Sequence, residues 1–184
     1  MCEELLMLDS TNGDGKAEIV MDYIISYTLR SSVNSEMPQF KEAARFILFK
    51  LLNINDIEQK IISVKVWKQW RQIDLTVEAI LLENGAEKKY AILIEDKYYT
   101  APHDNQLSRY KEIFDSYYSA EFEKRYVLIT AIYHEDKNFD KCYSNVTRDG
   151  FTIYSLNELI PANQEKTESD IFNQFWLERK WICP

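Results

Sequence analysis

A chain of 184 residues that is 46% hydrophobic, with only four Gly and four Pro, can bury a core. That excludes a low-complexity or disordered polymer and fits one domain over residues 1–184. A net charge of −8 counts against a simple nucleic-acid binder, whose affinity rests on Lys and Arg against phosphates, but leaves room for an enzyme with a local basic strip.

The first apolar pattern at helical spacing runs from Lys16 to Val33, through Ile19, Val20, Tyr23, Ile24, Tyr27 and Leu29. After a break at NSEMPQF, Pro38 suits the first turn of a second helix, whose apolar face carries Phe40, Ala43, Ala44, Ile47, Leu48, Leu51 and Leu52. The period then changes. Ile61–Trp70 and Ile73–Leu82 read as strands, the second with Asp74, Thr76 and Glu78 alternating against Ile73, Leu75, Val77 and Ala79. Asn84-Gly85 is a hairpin signal, and the near-continuous apolar run from Tyr90 to Tyr98 predicts a central strand buried on both faces. Asp104 is the expected N-cap of a helix over Asn105–Tyr118. Arg125–Tyr133 and Gly150–Leu156 complete the strands, with HEDKNFDK as a solvated loop between them, and Ser169–Trp181 reads as a closing helix. The order predicts an α/β fold with a mixed sheet and helices on its faces.

The central strand ends in Glu95-Asp96-Lys97, charges that a buried strand ordinarily avoids. Alternation puts Glu95 and Lys97 on one face and Asp96 on the other. If the Asn84-Gly85 hairpin pairs its strands, Asp74 comes beside Glu95. Two carboxylates there suit Mg²⁺ or Mn²⁺, and a neighbouring ammonium suits the charge that grows during phosphodiester cleavage. The E-x-K pattern alone is weak: it occurs at Glu58, Glu87, Glu95, Glu135 and Glu178. Glu135-Asp136-Lys137 repeats the full tripeptide in a polar stretch with no partner carboxylate. Pattern alone leaves the copy at Glu95 open between a metal pocket and a surface ion pair.

Asp74 in RQIDLTVEAIL, followed by IEDK and NQLSRY, resembles the PD-(D/E)XK nuclease superfamily, in particular a bacterial branch reading R-I-D, I-E-N-K and Q-L-x-x-Y. Weaker similarity extends over Asp22–Ile160. The resemblance implies a restriction-endonuclease-like αβββαβ core and Mg²⁺-dependent hydrolysis of DNA, with RNA as the other candidate. It implies Asp74 and Glu95 as metal ligands, with the Asp96 backbone carbonyl as a third. It implies Lys97 at the attacking water, and Gln106 orienting the site or touching a phosphate, with Tyr110 one turn on. It also implies a first-helix acid, for which Asp22 is preferred over Glu18 and Glu42. Two departures stand out: Asp96 adds charge, although its side chain is expected to face away, and Ile73 replaces Pro.

His103 lies near this site and is read as a solvated loop residue, while His134 starts a polar loop without an evident partner. Two histidines and no cysteine pair argue against a structural zinc, and neither cysteine region pairs visibly with a histidine as a nucleophile would need. Trp67, Lys68, Trp70 and Arg71 form the nearest basic-aromatic strip, with a half-buried strand and turn as the plainer reading. Arg109, Lys111, Lys124 and Arg125 are candidate phosphate contacts, and Tyr117, Tyr118, Phe172, Phe175 and Trp176 read as core. Cys2, Cys142 and Cys183 lack CxxC spacing and point to a reducing compartment. With the acidic start MCEELLMLDS and no membrane-length apolar run, a cytoplasmic protein is expected. Nucleic acid is the expected partner, and cutting both strands would favour a homodimer. The alternative is a catalytically silent module of the same fold that binds protein or nucleic acid, such as a subunit of a defence or restriction system.

Overall fold

The computed structural model describes residues 15–56, 59–103, 105–137 and 139–178. Two helices open it: α1 (Gly15–Asn34) and α2 (Pro38–Leu52). Pro38 begins α2 where a missing N–H costs nothing, and Asn53 in the left-handed region ends it, its N–H capping the Lys50 carbonyl while the Ile54 N–H caps that of Phe49. Strands β1 (Lys60–Trp70), β2 (Ile73–Glu83) and β3 (Ala86–Lys97) follow as an antiparallel meander. Asn84 and Gly85, both at positive φ, make the tight turn between β2 and β3.

Helix α3 (Gln106–Tyr117) crosses over to β4 (Phe122–Thr130), which pairs parallel to β3. A short helix α4 (Phe139–Tyr143) and a 3₁₀ turn lead to β5 (Thr152–Ser155), parallel to β4. The sheet order is β1-β2-β3-β4-β5, so β3 is central, as its apolar run predicts. The α/β fold, with its mixed sheet and flanking helices, is the restriction-endonuclease-like core expected.

Two cores result. Alternate residues of β3, Tyr90, Ile92 and Ile94, pack with α1, α2 and the buried Phe172, Phe175 and Trp176. Ala91 and Leu93 face the other way, against Leu107, Tyr110 and Phe114 of α3. Trp176 donates its indole N–H to the Thr28 hydroxyl, tying the C-terminal segment to α1. No described helix is long and apolar enough to cross a membrane.

Several expectations change. The closing helix begins beside Ser169, but only Asp170–Phe172 (α5) is α-helical before the coil widens into a π-helix over Asn173–Glu178; Trp181 lies outside the described residues. The polar stretch HEDKNFDK enters α4, because Phe139 finds a buried seat against His134 and Tyr143. His134 has a partner after all, with Nε2 3.2 Å from the Glu158 carboxylate. Asp104, the expected cap of α3, lies outside the described residues, as do Cys2 and Cys183. Asn105 precedes α3 in the left-handed region with no side-chain cap.

Candidate active site

The β2–β3 ladder is regular up to Leu75 opposite Ile94 and then opens. One step further, the same register sets Asp74 across from Glu95. The Asp96 N–H at this fork donates to Asp74 Oδ2 at 3.1 Å, a side-chain acceptor replacing the lost strand partner.

On the α3 side of β3, Lys97 Nζ lies 2.6 Å from Glu95 Oε1 and 3.9 Å from Asp74 Oδ2, and it donates to the Asp96 carbonyl at 3.2 Å. Gln106, the first residue of α3, donates Nε2 to Glu95 Oε1 at 2.6 Å and lies 3.3 Å from the Tyr110 hydroxyl. Its Oε1 accepts the His103 N–H at 3.1 Å, so the amide is held at both ends. Asp74, Glu95, Lys97, Gln106 and Tyr110 therefore come together as expected.

On the α1 side, Asp22, Asp74 and Asp96 each bring one carboxylate oxygen within 4.8 Å of the others. Asp96 takes part in this second group. Its side chain does point to the opposite face from Glu95, but α1 covers that face and presents Asp22 there. The first-helix acid in the cluster is thus Asp22. Glu18, one turn earlier, accepts the Tyr98 N–H and the Thr100 hydroxyl instead, fastening the loop after β3. Glu42 is exposed on α2 beside residues 161–166, away from the cluster.

Sequence reading missed Gln69. Its amide donates to Asp74 Oδ1 at 3.0 Å and to Asp22 Oδ2 at 3.2 Å, linking the two acids. Its φ of 54°, with 53° at Arg71 and 73° at Gln72, twists the end of β1 toward the fork. Asn and Gly are the usual signals for such a turn, and neither is present. The candidate phosphate contacts divide. Arg109 reaches Gln72 at 3.4 Å near the fork. Lys124 pairs with Asp115, and Arg125 holds the Leu52 carbonyl and Glu123 at the far end of β4, so neither is at the site.

Electrostatics of the cluster follow from four carboxyl groups around one ammonium. Burial, then the Asp74 charge, pushes Glu95 up to about 8. Burial, then Asp74, raises Asp22 to about 6. Burial, then Asp22 and Asp74, raises Asp96 well above the ordinary carboxylate range. Burial opposes the Lys97 charge, but Glu95 and Asp74 outweigh it and hold the amine protonated above its usual range.

A family model described as the PD-(D/E)XK nuclease superfamily matches residues 6–174. The chain belongs to that superfamily. Comparison with curated proteins and with solved structures finds no match. Nucleases of the PD-(D/E)XK superfamily use divalent metals, and the residues here fit one. Asp22 Oδ1, Glu95 Oε2 and both Asp96 carboxylate oxygens are buried with no amide, ammonium or alcohol donor among the described residues, and Asp22 and Asp96 face each other so that a shared proton or a cation must satisfy them. Buried acceptors left without partners are costly, and a set of hard oxygens suits Mg²⁺ or Mn²⁺.

Proposed function

We propose that the chain is a Mg²⁺- or Mn²⁺-dependent nuclease that hydrolyses phosphodiester bonds of DNA. The observation that carries this reading is the position of Asp74: its carboxylate joins Glu95 and Lys97 on one side of β3 to Asp22 and Asp96 on the other. Asp74, Glu95 and Asp96, with Asp22, are the residues that would hold the cation. Bound there, a divalent ion supplies charge to polarise the phosphodiester and to acidify a water.

The chain's own groups supply the rest. In hydrolysis a water oxygen bonds to phosphorus, a P–O ester bond breaks, and the leaving oxygen takes up a proton. Lys97, kept as an ammonium, offsets the negative charge that grows on the phosphoryl group and the attacking oxygen. Gln106, itself bonded to Tyr110, fixes Glu95, while Gln69 fixes Asp74 and Asp22, so the acids are placed before substrate arrives.

The test is cleavage of DNA and, in parallel, RNA with Mg²⁺ or Mn²⁺ by wild type, Asp74→Ala and Lys97→Ala. Loss in both variants supports the reading, and undiminished cleavage in both removes it. The acidic balance of −8 favours a second reading, a silent module of the same fold. Calorimetric titration separates the two: cation binding that disappears in Asp74→Ala belongs to the nuclease, and no carboxylate-dependent binding belongs to the module.

A further inference from the structure

Further along β2 from Asp74, on the α3 side of the sheet, lies a cavity of about 100 Å³ lined by Trp67, Trp70, Thr76, Glu78, Tyr117 and Tyr118. Its volume is of the same order as a cavity that admits one benzene ring, about 150 Å³. Trp67 and Tyr117 are 38% and 54% exposed, large values for rings read as half-buried or core. Trp70 meets Tyr117 edge-on at 4.7 Å between ring centroids, and Arg71 lies over both rings. These aromatic walls carry polar groups between them. Thr76, only 1% exposed, leaves its hydroxyl without a partner among the described residues, and Trp67 sits opposite it in the ladder. Glu78 accepts the Tyr118 hydroxyl through Oε1.

Resting on the nuclease reading, we infer that this cavity takes one unpaired base of the strand being cut, and that it selects cytosine. Faces of flat rings stack on aromatic side chains whatever the base. The polar groups then discriminate. A carboxylate accepts from the exocyclic amino group of cytosine, and an unpartnered hydroxyl beside it can donate to the adjacent ring nitrogen. Thymine sets its O4 carbonyl against the Glu78 carboxylate, acceptor against acceptor, and because the Thr76 hydroxyl can turn to accept the thymine N3–H, the discrimination falls on Glu78. The small volume favours a single six-membered ring over a purine. Location supports the same occupant. Asp74 and Thr76 are two residues apart on one strand, about 7 Å, so the base would be a near neighbour of the scissile phosphate. Arg71 at the rim, and Lys65 opposite Glu78 in the ladder, supply cations for the flanking phosphates.

The test is tryptophan fluorescence of the full chain, titrated in chelator with single-stranded oligo-dC, oligo-dT and, as a control cation, tetramethylammonium. Wild type should bind oligo-dC about tenfold more tightly than oligo-dT, the size of a good base contact. Trp67→Ala should weaken both about tenfold by removing a stacking wall. Glu78→Gln, whose amide can donate to a thymine carbonyl, should erase most of the preference, and Thr76→Val, which keeps its shape and removes a hydroxyl that bonds nothing among the described residues, should weaken oligo-dC binding without lowering the melting temperature. Equal binding of the two oligomers by wild type, or unchanged binding in Trp67→Ala, overturns the inference. So does quenching by tetramethylammonium alone, which would mark a cage for organic cations. Cleavage with Mg²⁺ is measured beside it. Normal cleavage with no base preference defeats the pocket alone. Base-selective quenching without cleavage by wild type keeps the pocket and defeats the nuclease.

Discussion

The tripeptide Glu-Asp-Lys occurs twice in this chain, and its two copies share nothing but sequence. Glu95, Asp96 and Lys97 are 0%, 1% and 8% exposed. Glu135, Asp136 and Lys137 lie in an exposed turn after β4. The first copy ends the central strand, where an antiparallel neighbour delivers Asp74 and a covering helix delivers Asp22. The second lies beyond the end of β4, past Thr130, where the chain has left the sheet and stands in solvent. Titratable groups become chemically distinctive when the fold removes water and adds like charges, and the tripeptide itself does neither.

The largest effects that can break this contrast are catalytic. Lys97→Ala and Asp74→Ala should each lower the cleavage rate by about 10²–10³-fold or more, the range for removing one preorganised electrostatic contact. Lys137→Ala and Glu135→Ala should leave it unchanged. Comparable losses in the two copies, measured with one labelled substrate, would show that burial is not what distinguishes them.

The next contrast is in stability against pH. Glu95 goes from 4.5 in the unfolded chain to about 8, and Asp22 from 3.8 to about 6. The folded state therefore holds more protons than the unfolded state between pH 4 and 8, and stability must fall as pH rises through that window. The cation-free protein should melt at progressively lower temperature from pH 4.5 to 8. Added Mn²⁺ should restore the loss, because it replaces the protons, and its affinity should rise over the same range. Asp96→Asn should match wild type in melting temperature near pH 4 and exceed it at pH 8. Asp136→Asn should stay within about 0.5 kcal/mol throughout, as exposed substitutions do. A flat profile for cation-free wild type would mean that the acids are hydrated.

These contrasts also show what could be read from sequence. The hairpin turn at Asn84-Gly85 and the alternation of β2 and β3 were legible because each residue's face follows from strand geometry, and together they placed Asp74, Glu95 and Lys97. Asp96 was legible only as a direction. What it meets depends on how α1 lies across the sheet, and no local pattern encodes that. Gln69 was hidden for a related reason: its role comes from a twist in β1 that its neighbours Trp70, Arg71 and Gln72 do not announce. Phe139 misled in the opposite sense, since one aromatic residue in a charged stretch was enough to fold α4 onto the second core.

The smallest effect concerns that twist, which again distinguishes the two copies. Arg71 and Gln72, in the turn beside the buried copy, have φ of 53° and 73°, whereas none of residues 131–137 has positive φ. A side chain in the left-handed region costs about 1–2 kcal/mol that glycine does not pay. Gln72→Gly gives up only the long 3.4 Å contact with Arg109 at an exposed position. Its own backbone entropy in the unfolded chain offsets part of the gain. The variant should therefore be more stable than wild type by about 0.5–1 kcal/mol in denaturant unfolding, with cleavage retained because Gln69 keeps its hold on Asp74 and Asp22. A loss of stability would mean that the turn is held by contacts of the Gln72 side chain, and the orientation of Gln69 would then depend on them as well.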